Sequence, residues 1–150
     1  MNADSPTGRT ARRGWMSALA KADPARLAAL MPELPALEPL RPPEIGAVMV
    51  RGRVGATGAP FNLGEMTVTR CSVRLADGTV GHGYVQGRDQ AHAMRAAALD
   101  ALMQTDQAER LQTTVLTVLV AEADVARVQR AEKAAATKVD FFTMVRGEDA

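Results

Sequence analysis

The chain reads as an α+β domain: a small, mainly antiparallel sheet with an N-terminal helical hairpin and flanking helices. Three observations predict this. Apolar residues recur at helical spacing near both ends, they alternate with polar residues in central runs, and an Asp-Gly pair joins two of those runs. With 47% hydrophobic and 23% charged residues, the composition is that of an ordinary folded protein. Its 150 residues suit a single domain.

Residues 1–8 read as a frayed end, followed by the helical hairpin over 9–31. Thr10 is placed to cap a helix running to about Ala22, in which Trp15, Met16, Leu19 and Ala22 share an apolar side. Asp23-Pro24 restarts the chain, because aspartate accepts bonds from free amides at a helix start and proline tolerates the first helical position. The short second helix then turns Leu27, Leu30 and Met31 inward. Five of the eight prolines fall between Pro32 and Pro43, which marks 32–43 as a linker.

The α+β core spans 44–138. Alternation from Ile45 to Val54 sets Val48, Val50 and Val54 against Met49, Arg51 and Arg53. After a Gly-rich turn at 55–60, the run Met66 to Leu75 sets Thr67, Thr69, Cys71, Val73 and Leu75 against Arg70, Ser72 and Arg74. Asp77-Gly78 supplies a tight turn into Thr79 to Gln86, so these two runs form a β-hairpin. Arg88 to Met103 reads as an Ala-rich helix. Thr113 to Val120, rich in β-branched residues, reads as a strand. From Asp124 to about Lys138 a helix holds Val125 and Val128 inward and Arg127, Arg130 and Lys133 outward. Residues 139–150 form a closing tail.

Charge and cysteine content narrow the function. Eighteen basic and seventeen acidic side chains leave a formal charge of +1, too balanced for a protein held on nucleic acid by phosphate contacts. The one dense basic group, Arg9, Arg12 and Arg13, reads as a solvated helix end. Cys71 is the sole cysteine, so one chain can close neither an internal disulfide nor a cysteine-based zinc site, and a reducing cytoplasm fits. No run approaches the roughly 20 apolar residues of a membrane-spanning helix. A soluble, unexported chain without membrane or nucleic-acid partners is expected.

Three features carry chemistry. The first is Gly87-Arg88-Asp89, where a strand passes through glycine into a helix start. Free backbone N–H groups there favour an anion, and Arg88 offers a planar partner for phosphate or carboxylate. The alternative is that Asp89 complements the helix dipole while Arg88 pairs with a nearby acid. His92 and Arg95 share a helix face with Leu99 and Met103, so His92, Arg88 and Arg95 are the candidates for acid-base or ligand roles. A histidine on an apolar face is more often a packing residue, and two histidines make no closed metal site. The second feature is arginine on the sheet. Arg51, Arg53, Arg70 and Arg74 are expected to share one positive face, which either stays solvated or receives an acidic partner. The third is the tail, which holds two of only five aromatic residues, Phe141 and Phe142, followed by Met144 and Arg146. Each phenylalanine gains about 1.5–3 kcal/mol on full burial, so the tail is a candidate docking element.

The tail also carries a likeness. Val139-Asp140-Phe141-Phe142-Thr143-Met144-Val145-Arg146-Gly147-Glu148 resembles the closing motif of the G subunit of the carbon–phosphorus lyase core complex. Gly64-Glu65-Met66-Thr67-Val68-Thr69-Arg70 with Val73-Arg74-Leu75 resembles the same family, as do Val85-Gln86-Gly87-Arg88-Asp89 with His92 and the opening Trp15-Met16-Ser17 with Leu19-Ala20. Matching features run from about Arg12 to the end. Glu65 and Glu148 stand where aspartate is common in the family, which keeps the charge.

The resemblance implies a cytoplasmic bacterial system that extracts phosphate from alkylphosphonates when phosphate is scarce. It implies a core of G, H, I and J subunits, two copies of each. In that system the G, H and I subunits, with an ATP-binding L subunit, form α-D-ribose 1-methylphosphonate 5-triphosphate from ATP and methylphosphonate, releasing adenine. The J subunit then cleaves the carbon–phosphorus bond with an iron-sulfur cluster and S-adenosylmethionine. One cysteine cannot hold that cluster. ATP is thus expected as a substrate of the complex and no cofactor is expected on this chain. The reading is an accessory subunit. Its rivals are a contributor of phosphate-binding or acid-base residues to a shared active site, and an independent anion-binding module.

Overall fold

The computed structural model describes residues 6–138. In chain order these form α1 (Pro6–Lys21), α2 (Pro24–Leu30), β1 (Leu37–Arg53), β2 (Pro60–Leu75), β3 (Val80–Gln86), α3 (Gln90–Leu102), α4 (Ala108–Leu111) and α5 (Thr117–Ala136). A 3-10 turn at Val54–Ala56 links the first two strands, and a π-helical turn at Gln112–Leu116 joins α4 to α5. The strands make one antiparallel sheet in the order β1-β2-β3. The α+β class and the antiparallel sheet are as expected.

One face of the sheet is covered. Thr69, Cys71, Val73 and Leu75 of β2 and Gly81, Gly83 and Val85 of β3 are buried, while Arg74, His82, Tyr84 and Gln86 lie exposed on the other side. Helix α3 covers the buried face at unusually close range. A Cβ at Gly81 would run into the Ala97 carbonyl oxygen and the Ala101 amide, and one at Gly83 into the Ala93 carbonyl oxygen. The glycines of β3 and the alanines of α3 are therefore one device, because any larger side chain would hold the helix backbone off the strand. Helices α1 and α2 add Leu19, Leu27 and Met31 to this core, and the α4–α5 stretch adds Leu111, Val115, Leu116 and Leu119.

Four expectations need correction. Helix α1 starts at Pro6, ahead of Thr10, and Gly8 is buried, so 6–8 is not a frayed end; proline at a first turn costs little, since its missing N–H would lack a helical partner anyway. Strand β1 begins at Leu37, inside the presumed linker. It is an edge strand, and Pro39, Pro42 and Pro43 fall where the register already slips, between Pro39 and Arg41 and between Arg41 and Glu44.

The presumed strand over Thr113 to Val120 is helical. Leu111, Val115, Leu116 and Leu119 are buried on one helical face, and that burial outweighs the β preference of valine and threonine. The hydroxyls of Thr113, Thr114 and Thr117 turn back onto the carbonyls of Glu109, Arg110 and Gln112. Beyond Leu119, α5 leaves the body. Val125 and Val128 are 58% and 49% exposed rather than inward.

Among the described residues no helix is long and apolar enough to cross a membrane.

Candidate functional site

Gly87 takes a left-handed backbone (φ 90) as the chain leaves β3. Both of its backbone groups are used: its N–H donates to Thr67 at 2.9 Å and its carbonyl accepts from the Thr69 hydroxyl at 2.7 Å. Asp89 then caps α3, its carboxylate accepting the His92 N–H at 2.8 Å. A carboxylate thus already sits where the helix N-terminus would favour an anion. Arg88 is exposed and makes no hydrogen bond or ion pair among the described residues.

His92 and Arg95 face inward for a different purpose. His92 is 5% exposed, and its Nε2 donates to the Leu19 carbonyl at 2.8 Å, fastening the end of α1 to the start of α3. Arg95 donates through Nε to the Met31 carbonyl at 3.3 Å, just past the end of α2. The expected triplet is therefore divided between one free arginine and two side chains committed to holding helices.

The sheet arginines are divided as well. Val48 pairs with Met66 and Gly46 with Val68, so by alternation the valines share a face with Arg70 and Arg74, while Arg51 and Arg53 lie on the opposite face beside Met49. A one-residue difference in register moves a whole set of side chains across a sheet, which is why the shared arginine face does not form. On the outer face Arg74 meets Glu38 at 2.7 Å, and Glu44 lies 3.3 Å from Arg41 and 3.6 Å from Arg70. The Ser72 hydroxyl and His82 Nδ1 are 2.9 Å apart on the same face. These pairs are solvent-exposed and contribute little stability. The Nε of Arg70 is buried and has no hydrogen-bond partner among the described residues. Phe141, Phe142, Met144 and Arg146 lie outside the described residues.

The polar network that most shapes the molecule escaped the sequence reading. Asp100 is fully buried and its carboxylate accepts four hydrogen bonds: from Arg12 Nε at 3.1 Å, Arg12 Nη2 at 2.7 Å, Trp15 Nε1 at 2.8 Å and the His82 backbone N–H at 2.9 Å. Arg12 is thus no solvated helix end. Its spacing to Trp15, one turn apart on a helix, was the available signal, but nothing in the sequence indicated that both reach the same carboxylate. Elsewhere, burial pushes the Cys71 thiol pKa up and leaves it beside the Met94 sulfur. Among the described residues no group of three or more His, Cys, Asp or Glu is placed to hold a metal ion.

A family model described as "Phosphonate metabolism protein PhnG" matches residues 10–147. The chain belongs to this family. It is also 46% identical, over 141 residues, to a protein of Rhizobium meliloti (strain 1021) named "Alpha-D-ribose 1-methylphosphonate 5-triphosphate synthase subunit PhnG", covering 92% of this chain and 90% of that one. The resemblance drawn from the tail and the internal motifs therefore holds. The span matched to the PhnG family includes Arg12, Trp15 and Asp100 and the α3 cap.

Proposed function

We propose that this chain is an accessory subunit of the phosphonate-degrading carbon–phosphorus lyase core complex. It serves with the H, I and L subunits in forming α-D-ribose 1-methylphosphonate 5-triphosphate. In that reaction a methylphosphonate oxygen replaces adenine at the anomeric carbon of ATP, and adenine leaves. The observation that carries the reading is the 46% identity to a chain named as a subunit of that synthase. The fate of the titratable groups supports a shaping role, since His92, Arg95 and Asp89 each make a side-chain hydrogen bond with the chain's own backbone. On this reading the partners are the H, I and J core subunits, two copies of each, with L attached. ATP is a substrate of the complex, this chain brings no cofactor, and the setting is cytoplasmic.

The test is omission. The complex is reconstituted with and without this chain, and adenine release from ATP is measured in the presence of methylphosphonate. Release that persists at the full rate without the chain refutes the proposal. A contributor role is favoured only at Arg88, whose guanidinium is unengaged among the described residues. Arg88→Ala that assembles normally yet loses about 100-fold in rate, about 2.7 kcal/mol of transition-state stabilisation, would assign it to substrate.

A further inference from the structure

The β1–β2 ribbon runs out beyond the sheet. β2 pairs with β3 only from Val68 to Arg74, whereas β1 and β2 stay paired out to Arg53 and Pro60. Residues 47–67 are therefore a two-stranded arm, and none of them is buried. An isolated hairpin is marginal in water at best, and this one carries large apolar side chains in the open. On one face lie Val48, Val50 and Met66, with Phe61 and Leu63 bordering Gly52, where the missing side chain leaves room for the phenylalanine ring. Phe61 is 42% and Leu63 66% exposed. On the other face Met49, 53% exposed, leads to Arg51 and Arg53. Arg51 has no polar partner among the described residues, and Arg53 donates to the Gly58 carbonyl of the arm's own turn. Glu65 is the only acidic residue on the arm.

We infer that the arm docks this chain onto another subunit of the synthase. Its apolar face settles on an apolar partner surface, and carboxylates bordering that surface meet Arg51 and Arg53. This rests on the subunit reading above and specifies its surface. A second copy of the chain suits the arm poorly. It would bring a basic tip to a basic tip, and three prolines interrupt the free edge of β1 through which two sheets would join.

Two measurements test the inference. Hydrogen exchange on the full-length chain, alone and in the reconstituted complex with H, I, J and L, should show fast amides over 47–67 that become at least tenfold protected on assembly. Phe61→Glu/Leu63→Glu and Arg51→Glu/Arg53→Glu, each checked for folding by circular dichroism, should cut copurification with the other subunits at least tenfold. The charge variant should also flatten the salt dependence of binding. Arm amides that exchange equally fast in the complex overturn the inference, as do variants that copurify at wild-type yield while the wild-type chain assembles. Free chain that dimerises through the arm, with the variants monomeric in sedimentation, overturns the choice of occupant. A wild-type chain that the other subunits do not retain refutes the subunit reading itself, and this inference with it.

Discussion

Replacing Asp100 with alanine tests how the helical layer is held to the sheet. The carboxylate has 0% exposure and receives bonds from α1 twice over, through Arg12 and Trp15, and from β3 through the His82 N–H. Arg12 is 24% exposed, so after the substitution its guanidinium can turn to water and recover much of its hydration. Trp15 Nε1 and the His82 amide lose their acceptor. Each buried donor left unpaired costs about 1–3 kcal/mol, and breaking a buried ion pair from one side costs about 3–5 kcal/mol in total. A loss of about 3–5 kcal/mol is a large share of the stability of about 5–15 kcal/mol that a domain has to spare. The assay is urea unfolding followed by fluorescence, because Trp15 is the chain's only tryptophan and its indole N–H is one of the four bonds lost. Asp100→Asn keeps the shape but turns an amide nitrogen toward donors, so it should fall between wild type and alanine. A loss below about 1 kcal/mol for Asp100→Ala, with an unchanged denaturant slope, would refute the reasoning.

Further outcomes follow from the geometry. Gly81→Ala forces α3 away from β3 and should cost about 1–3 kcal/mol, read as a lower unfolding midpoint. His92→Ala should destabilise by about 1–3 kcal/mol, because the buried Leu19 carbonyl loses its donor, while Arg88→Ala should leave the thermal midpoint unchanged. Burial raises the Cys71 pKa, so folding favours the protonated thiol; stability is full below the free-thiol range near about pH 8.5 and falls as pH climbs through it. That alkaline loss should shrink in Cys71→Ala, measured by unfolding across pH. Calorimetry of the isolated chain should show no micromolar binding of ATP or methylphosphonate, since Asp89 fills the best anion position.

Much of this architecture was legible because it rests on local patterns. Alternation in β2 separated its two faces correctly, with Cys71, Val73 and Leu75 together on the covered side, and Asp23 is the helix cap that its residue type and position suggest, whereas Asp89, read as lying inside a helix from Arg88, is the cap of α3. What stayed hidden depends on distant partners. The run from Thr113 to Val120 has strand composition, yet its burial against α1 and α2 is a tertiary decision. The prolines after Pro32 resemble a linker until β1 is known to be an edge. The arginine face failed for a subtler reason: alternation within each strand was read correctly, but which side meets which is set by register across the pair, and no single strand encodes that. At the candidate site, the types of Asp89, His92 and Arg95 were visible, but not that the Leu19 and Met31 carbonyls would engage two of them.

The wide turn at Gln112–Leu116 sets the direction in which the last helix points its side chains. There the Thr117 N–H and hydroxyl both reach back to the Gln112 carbonyl, five residues earlier. Such a turn holds about one residue more than an α-helical turn, and one residue is worth about 100° of rotation about a helix axis. The stretch before Leu116 is fixed by the core, so this surplus residue acts as an angular offset for everything after it. Val125 and Val128 lie downstream of the offset and clear of the body. Deleting a single residue from the turn, with no change to the valines themselves, would swing them to a different compass bearing and carry Leu119, buried in the core, round with them.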